Sequence, residues 1–165
     1  MLNPEMFPII LAHEPAASNA VADTSNAINL EGAAGCLILV SEYTAGGDTD
    51  LVLTVHEGAT AAVAEAGTYA ISATFPIWVA ADATSTTAAT ALTWERQTDA
   101  ATYTIDATTT KNYMVAMYIP AGILTNGRPY ICLGTSGGNA SNIAVAHYIL
   151  DRARYKGATL YDVIS

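Results

Sequence analysis

The sequence predicts an all-β protein, and three observations support that fold class. Short strand-like segments follow one another, with turn signals between them about every 8 to 12 residues. Threonine, a β-branched residue that favours extended chain, is dense between Asp82 and Asn112. The chain also lacks a convincing amphipathic helix pattern. We therefore expect a single-domain antiparallel β-sandwich with a jelly-roll-like arrangement of strands.

The beginning of the chain predicts an extended N-terminal arm. Pro4, Pro8 and Pro15 surround an apolar patch, and proline excludes both a regular helix and a central strand. Such a patch has to be buried on its own domain or on a neighbour's, so its residues are interface candidates: Met6, Phe7, Ile9, Ile10 and Leu11. We divide the chain into an arm at residues 1–25 and a sandwich domain at residues 26–165.

The first half of the domain predicts several strands and one short helix. The strands are "NAINL", "CLILVSEYT" and "LVLTVHEG", and the turn "AGGDTD" between the last two predicts a meander. A further strand, "TYAISATFPIWVAAD", ends or bulges at Pro76 and then resumes. Residues 59–66 favour a short helix bounded by Gly58 and Gly67.

The second half continues the same pattern. The Thr-rich segment contains "TALTWERQT" and "ATYTIDATTTKN" as strand-like portions, and "YMVAMYIPAG" predicts a strand that ends at Pro120. Asn126-Gly127 is the strongest short hairpin signal, and it precedes the strand "YICLG". The alternating segment "NIAVAHYILDRARY" closes the sheet.

Composition and charge narrow the function classes. Hydrophobic residues make up 52% of the chain and charged residues 13%, so part of the surface is expected to lie against other subunits. The formal net charge of -9 argues against nucleic acid and against an anionic membrane surface as partners. We also expect neither a signal peptide nor a transmembrane helix.

The chemically versatile residues do not form a catalytic pattern. Cys36 and Cys132 each lie in an apolar segment and predict buried free thiols, with a disulfide as the alternative. His56 and Glu57 are neighbours on a strand and should point to opposite faces. "GTSGGN" resembles the serine protease motif but has Thr135 where that chemistry needs an aspartate, so a turn is expected.

Asp48 and Asp50 present carboxylates two residues apart in a turn, which is one element of a calcium site. The loop lacks the further oxygen ligands of a strong motif, so a solvated turn is the main expectation. Scattered histidines likewise give no zinc or iron site. We expect a protein that is not an enzyme, binds no cofactor and works by contact.

Half of the basic residues gather near the end of the chain. Arg152, Arg154 and Lys156 are three of the six Lys and Arg residues, and on a strand they would share one face. In an acidic chain such a basic edge favours contact with acidic residues of a sister subunit or a shell. The alternative is that these side chains protect an edge strand from aggregation.

Three segments carry a resemblance to a known class of proteins. "NAVADTSNAINLEGAAGCLILV", "DLVLTVHEG" and the stretch from Thr108 to Gly157 together resemble small structural proteins of tailed phages and prophages. The chain differs from that pattern in "HEGATAAVAEAG", where an Asp-rich turn and a Trp are usual, and in the long Thr/Ala insertion.

The resemblance implies a virion component made in the bacterial cytoplasm. Its expected role is a capsid decoration or cement protein, or a head-tail or neck accessory subunit. The partners would be the major capsid protein or neighbouring virion subunits, in a homo-oligomer for which a trimer is the favoured number. The alternative is a carbohydrate- or receptor-binding β-sandwich, which would need exposed aromatic residues such as Trp94, Tyr103 and Tyr113 in one groove.

Overall fold

The computed structural model describes residues 8–19, 25–45, 49–81, 93–108 and 110–151. This part of the chain consists mainly of antiparallel strands, which confirms the all-β prediction. The strands are β1 (Ile9–Ala17), β2 (Ile28–Asn29), β3 (Gly35–Ala45), β4 (Leu51–Gly58), β5 (Ile77–Ala81), β6 (Glu95–Arg96), β7 (Thr102–Ile105), β8 (Thr110–Pro120), β9 (Tyr130–Gly137) and β10 (Ile143–Leu150). A short helix α1 (Ala61–Glu65) follows β4, and one turn of 3-10 helix (Ala121–Ile123) follows β8.

The strands form two sheets, which we call sheet A and sheet B. Sheet A has six strands in the order β1-β10-β3-β8-β5-β6, and sheet B has four in the order β2-β9-β4-β7. One cluster of buried side chains includes Ile38 and Val115 from sheet A and Leu53 and Leu133 from sheet B. The two sheets therefore enclose a common core in the manner of a sandwich.

Apart from β5 and β6, the strands pair in nested order. The first strand pairs with the last, β1 with β10, and the second with the next to last, β2 with β9. The nesting continues inward with β3 against β8 and β4 against β7. Pairs β10–β3 and β4–β9 join the nested pairs into sheets, and β5 and β6 extend sheet A beyond β8.

Two predicted local connections are wrong. Strands β3 and β4, expected to form a meander, lie in different sheets. Strands β8 and β9, expected to form a hairpin, also lie in different sheets, although the turn itself forms: the Arg128 N–H donates to the Thr125 carbonyl, and Gly127 has φ +82°. A tight turn fixes only the local backbone, whereas pairing across the whole chain decides which sheet a strand joins.

Helix α1 confirms the short helix expected at residues 59–66. The Thr60 side chain caps it by accepting from the Val63 N–H at 3.3 Å, and Gly67 follows its C-terminal end with φ +64°. Ala64 is fully buried in a small cluster with Cys132 on the outer side of sheet B. The helix thus covers part of that sheet.

The buried hydroxyl of Tyr148 is hydrogen-bonded within the core. Its ring is 0% exposed, and its hydroxyl lies 2.5 Å from Ser25 Oγ and accepts from the Leu133 N–H at 2.8 Å. These bonds hold the segment before β2 against sheet B. Cys36 and Cys132 are both buried thiols outside any disulfide, as predicted, and burial raises the pKa of Cys36 far above its usual range.

Strand β1 lies within the segment predicted as an arm. It pairs with β10 at the edge of sheet A, with register shifts between Leu11 and His13 and between His13 and Ala16. An edge strand has one side without ladder hydrogen bonds, which is why Pro15 is tolerated there. Residues 9–17 are thus part of the sheet, while the boundary at residue 25 stays a prediction.

Candidate interaction face

Strand β3 is apolar on both of its faces. Cys36, Ile38 and Val40 point into the core and are at most 2% exposed. The alternate residues of the strand point the other way and are partly or largely exposed: Leu37, Leu39, Ser41 and Tyr43. An antiparallel sheet with one face in water normally carries polar side chains on that face. The outward side of β3 is therefore unusual for a solvated surface.

Strands β10 and β1 extend this apolar surface on one side of β3. The outward residues of β10 are Ile143, Val145, His147 and Ile149, and Ile143 is 53% exposed. Ile9 of β1 lies opposite Ile149, and Leu11 lies opposite His147. Both β1 side chains are exposed, at 62% and 41%.

Strands β8 and β5 extend it on the other side. Met114, Ala116 and Tyr118 point outward from β8, and Trp78 of β5 lies opposite Ala116. The guanidinium of Arg96, on β6, lies over the Trp78 ring at 4.9 Å from its centroid. The apolar surface therefore ends at a charged group on the edge strand.

We call the outward residues of β1, β10, β3, β8 and β5 named above the outer face of sheet A. Cross-strand pairing arranges them in rows, and the middle row consists of Leu11, His147, Leu39, Ala116 and Trp78. None of these named residues carries a carboxylate, a lysine or an arginine side chain, although the chain has 15 acidic residues. Arg96 and Asp151 lie at the margin of the face, and Glu14 of β1 is also exposed. Contiguous apolar surfaces of this kind mark sites of protein contact.

Charged and polar groups lie at the margin of this face. The Tyr118 hydroxyl donates to Asp151 Oδ2 at 2.8 Å, just beyond the end of β10. On the edge strand β6, Arg96 forms an exposed ion pair with Asp99. An apolar centre with a polar rim is the usual composition of a protein interface.

The interface residues predicted from the sequence have different positions. Ile9 and Leu11 lie on the outer face of sheet A, where the structure brings them together with β10, whereas Ile10 points inward and packs against the core. The remaining predicted residues lie outside the described part of the chain: Met6, Phe7, Arg152, Arg154 and Lys156.

Sequence reasoning missed most of the outer face. The signal was present in "CLILV", because a strand that is buried on both faces has a nearly continuous apolar run. In β10 both alternating sets are also largely apolar, with Ile143, Val145 and Ile149 in the outward set. Such runs predict strands, but they do not show which outward side chains of different strands come to lie side by side.

A buried ion pair closes one end of the sandwich. Glu57 is 4% exposed and accepts hydrogen bonds from the Thr125 N–H at 2.8 Å and from Arg128 at 3.1 Å. Arg128 also stacks on the Tyr69 ring at 3.7 Å from its centroid. Burial by itself would raise the pKa of Glu57, but the bonds from Thr125 and Arg128 outweigh it and hold that pKa below its usual value. The pair fixes the loop between β8 and β9.

The other end holds a buried carboxyl in a different environment. Glu42 is 1% exposed, and within the described residues neither of its oxygens has a hydrogen-bond partner. Burial raises its pKa to about 7, opposed by the nearby Ser18 and Asn142 side chains and reinforced by the charge of Asp50. The Ser18 and Asn142 groups lie beside the carboxyl without reaching hydrogen-bonding geometry. Glu42 is therefore a carboxyl that is readily protonated near neutral pH.

The other candidate groups do not converge. His56 points outward and Glu57 inward, as predicted for neighbours on a strand. Tyr113 is 8% exposed and belongs to the core, against which Tyr103 packs, while Trp94 is 39% exposed. These three aromatic residues do not form the exposed groove that carbohydrate recognition was expected to need.

The described residues contain no group of three or more His, Cys, Asp or Glu side chains arranged to hold a metal. Asp50 accepts a hydrogen bond from the Ala107 N–H at 3.0 Å, and Asp48 lies outside the described residues. In the same part of the chain, no helix has the length and apolar character needed to span a membrane.

Comparisons with protein-family models, with curated proteins and with solved structures found no match to this chain. The structure itself defines a class: an all-β protein of two antiparallel sheets around one core, with an apolar candidate interaction face on the larger sheet.

Proposed function

We propose that this chain is a structural protein of a tailed-phage virion, a capsid decoration or cement protein that stabilises the shell through subunit contacts. The observation that carries the proposal is the uncharged, apolar outer face of sheet A. Such a surface is unfavourable in water and is stabilised by burial against another protein. A decoration or cement protein works by binding other subunits, so the proposed role requires a contact surface and no catalysis.

We also propose that the two sheets form a jelly roll. The support is the nested pairing of β1–β4 with β7–β10, four strands in each sheet, which results when one long antiparallel hairpin is wrapped into two sheets. Jelly rolls occur in viral capsid domains and in lectins, so this fold suits the proposed role without defining it. In this interpretation β5 and β6 are an insertion that widens sheet A.

The resemblance of residues 19–157 to small phage and prophage structural proteins supports the same role. It implies the major capsid protein or neighbouring virion subunits as partners, and a position on the capsid surface. A rigid sandwich suits a repeating surface, because it loses little conformational entropy on docking. A head-tail or neck accessory subunit would use the same contacts at a different position on the particle.

The test is the copy number of the protein in purified virions, measured by quantitative mass spectrometry against labelled peptides. Copies on the order of hundreds per particle are expected for shell decoration, because such proteins follow the symmetry of the shell. About a dozen copies would indicate a neck or tail ring. Absence of the protein from the particle would contradict the proposed function.

A further inference from the structure

We infer that the outer face of sheet A is occupied by a second copy of this chain, in a face-to-face dimer with two-fold symmetry. The inference deepens the proposed function, and rests on it for the premise that this face is a contact surface. Two properties of the face identify the occupant: its charge and its size.

The charge of the face favours a copy of the same chain over a partner of opposite charge. The chain has a formal net charge of -9, so a basic partner would be recognised best through carboxylates. On the outer face of sheet A the carboxylates of Asp151 and Asp99 lie at the margin, and the rows of side chains between them have none. Two copies of an acidic protein can approach closely only through a surface without acidic groups, because like charges across an interface repel. An uncharged apolar face meets this condition.

The size of the face matches what a stable dimer needs. Five strands about 4.8 Å apart and about six residues of strand at about 3.4 Å each give a surface of roughly 20 Å by 20 Å between outer Cα atoms. Side chains at its margin enlarge this to roughly 700 Å². A standard interface buries about 800 Å² on each partner. One face of this sheet is thus enough for a specific contact.

Contact through one and the same face on both copies gives a closed pair. When the same patch serves on both partners, the contact is isologous and is complete with two copies. A ring of three would need two different patches that fit each other, so the inference replaces the expected trimer with a dimer. Leu39 lies on the middle strand and in the middle row, which puts it near the two-fold axis.

Sedimentation equilibrium of the full chain tests the inference. The wild-type protein is expected at twice its 17.1 kDa mass at micromolar concentration. Leu39→Asp would bury a charge in both copies at the centre of the contact and should raise the dissociation constant at least about a hundredfold. The matched control is Val52→Asp, a partly buried residue on the outward side of β4 in sheet B, which should change it less than about threefold.

Labelling of Ser41→Cys with a maleimide keeps the inference testable if Leu39→Asp does not fold. Cys36 and Cys132 are 0% exposed, so the new thiol is the accessible one. In the dimer the thiol of Ser41→Cys should react at least about tenfold more slowly than that of Ser136→Cys, an exposed position of β9. On dilution below the dissociation constant, the reaction of Ser41→Cys should become faster.

A monomeric wild type would overturn the inference. Slow labelling of Ser41→Cys in such a monomer would indicate that another segment of the same chain covers the face, and fast labelling would leave the face to a different protein. A dimer that Leu39→Asp and Val52→Asp weaken equally would also overturn it. A dimer absent from virions would contradict only the proposed function, and a monomer present in virions would contradict only this inference.

Discussion

Glu42 and Glu57 lie at opposite ends of the same sandwich, and their surroundings give them different pKa values. Glu57 is ion-paired with Arg128 and hydrogen-bonded to Thr125, which stabilises its charged form. Glu42 is buried without such partners, which favours its neutral form. Two identical side chains in one core therefore make stability depend on pH in opposite directions.

Replacing Glu42 with Gln should remove a pH dependence of stability. The pKa of Glu42 in the folded protein, about 7, lies above its ordinary value of 4.5. The contribution of Glu42 to wild-type stability should therefore be fully present below about pH 4.5 and be lost as the pH rises through about 7. Gln does not titrate, so Glu42→Gln should be more stable than wild type at about pH 8, by about 3 kcal/mol, and equal to it near pH 4.

Urea unfolding between about pH 4 and pH 8, at one protein concentration, measures this difference. Glu95→Gln, on the exposed strand β6, is the control and should leave the pH profile unchanged. A Glu42→Gln variant less stable than wild type at pH 8 would contradict the account, because it would mean that the carboxylate is the stabilised form.

Replacing Arg128 with Met should destabilise the fold much more than replacing Arg96. Arg128→Met leaves Glu57 buried without its ionic partner, which should cost about 3 kcal/mol near neutral pH. Arg96 pairs with Asp99 on the surface, with both side chains more than 40% exposed, so Arg96→Met should cost less than about 1 kcal/mol. Chemical unfolding at about pH 7 compares the two variants. Equal losses of unfolding free energy in the two variants would contradict this prediction, because they would mean that the Glu57–Arg128 pair contributes no more than an exposed pair.

At the scale of elements, strand β1 joins the fold and the proposed interface through alternate residues. Ile10 packs against the core, while Ile9 is 62% exposed on the outer face of sheet A. Successive side chains of a strand point to opposite faces, so adjacent isoleucines serve different functions. The proline pattern indicated an extended chain here, but it did not distinguish an arm from an edge strand.

This alternation gives a matched pair of variants. In the monomeric Leu39→Asp background, Ile10→Ala should lower the free energy of unfolding by about 1 to 2 kcal/mol, because it removes packed methyl groups, and Ile9→Ala by less than about 0.5 kcal/mol. In the wild-type background Ile9→Ala should weaken the dimer several-fold. Urea unfolding and sedimentation measure the two effects. The reverse order of stability losses would contradict the assignment of faces.

The sequence predicted strands and the short helix well because both depend on local patterns. Alternation identified β4 and β10, and Gly58 with Gly67 bounded the segment that contains α1, whereas the Thr60 cap was not predicted. Local patterns did not predict which strands pair with each other. The Asn126-Gly127 turn formed as expected but joined two sheets, since the partners of β8 and β9 lie far along the chain. Local turn chemistry carries no information about those distant partners.

At the scale of the whole molecule, nested pairing gives two faces of different character. Sheet B is partly covered by α1, whereas the outer face of sheet A is apolar and extends over five strands. A sequence shows that a strand such as β3 is apolar on both faces, but not which neighbouring strands share its outward side. The interaction face is formed by the pairing register, which places outward apolar residues of five strands side by side: β1, β10, β3, β8 and β5.

In the proposed dimer, two copies of this chain meet through the outer face of sheet A. Its most direct test is the distance between spin labels on Val52→Cys, measured by double electron-electron resonance. Four sheets stacked about 10 Å apart, with sheet B outermost in each copy, should separate the labels by roughly 30 to 50 Å. Absence of dipolar coupling, or a distance below about 20 Å, would contradict this dimer, since the first indicates a monomer and the second a contact through sheet B.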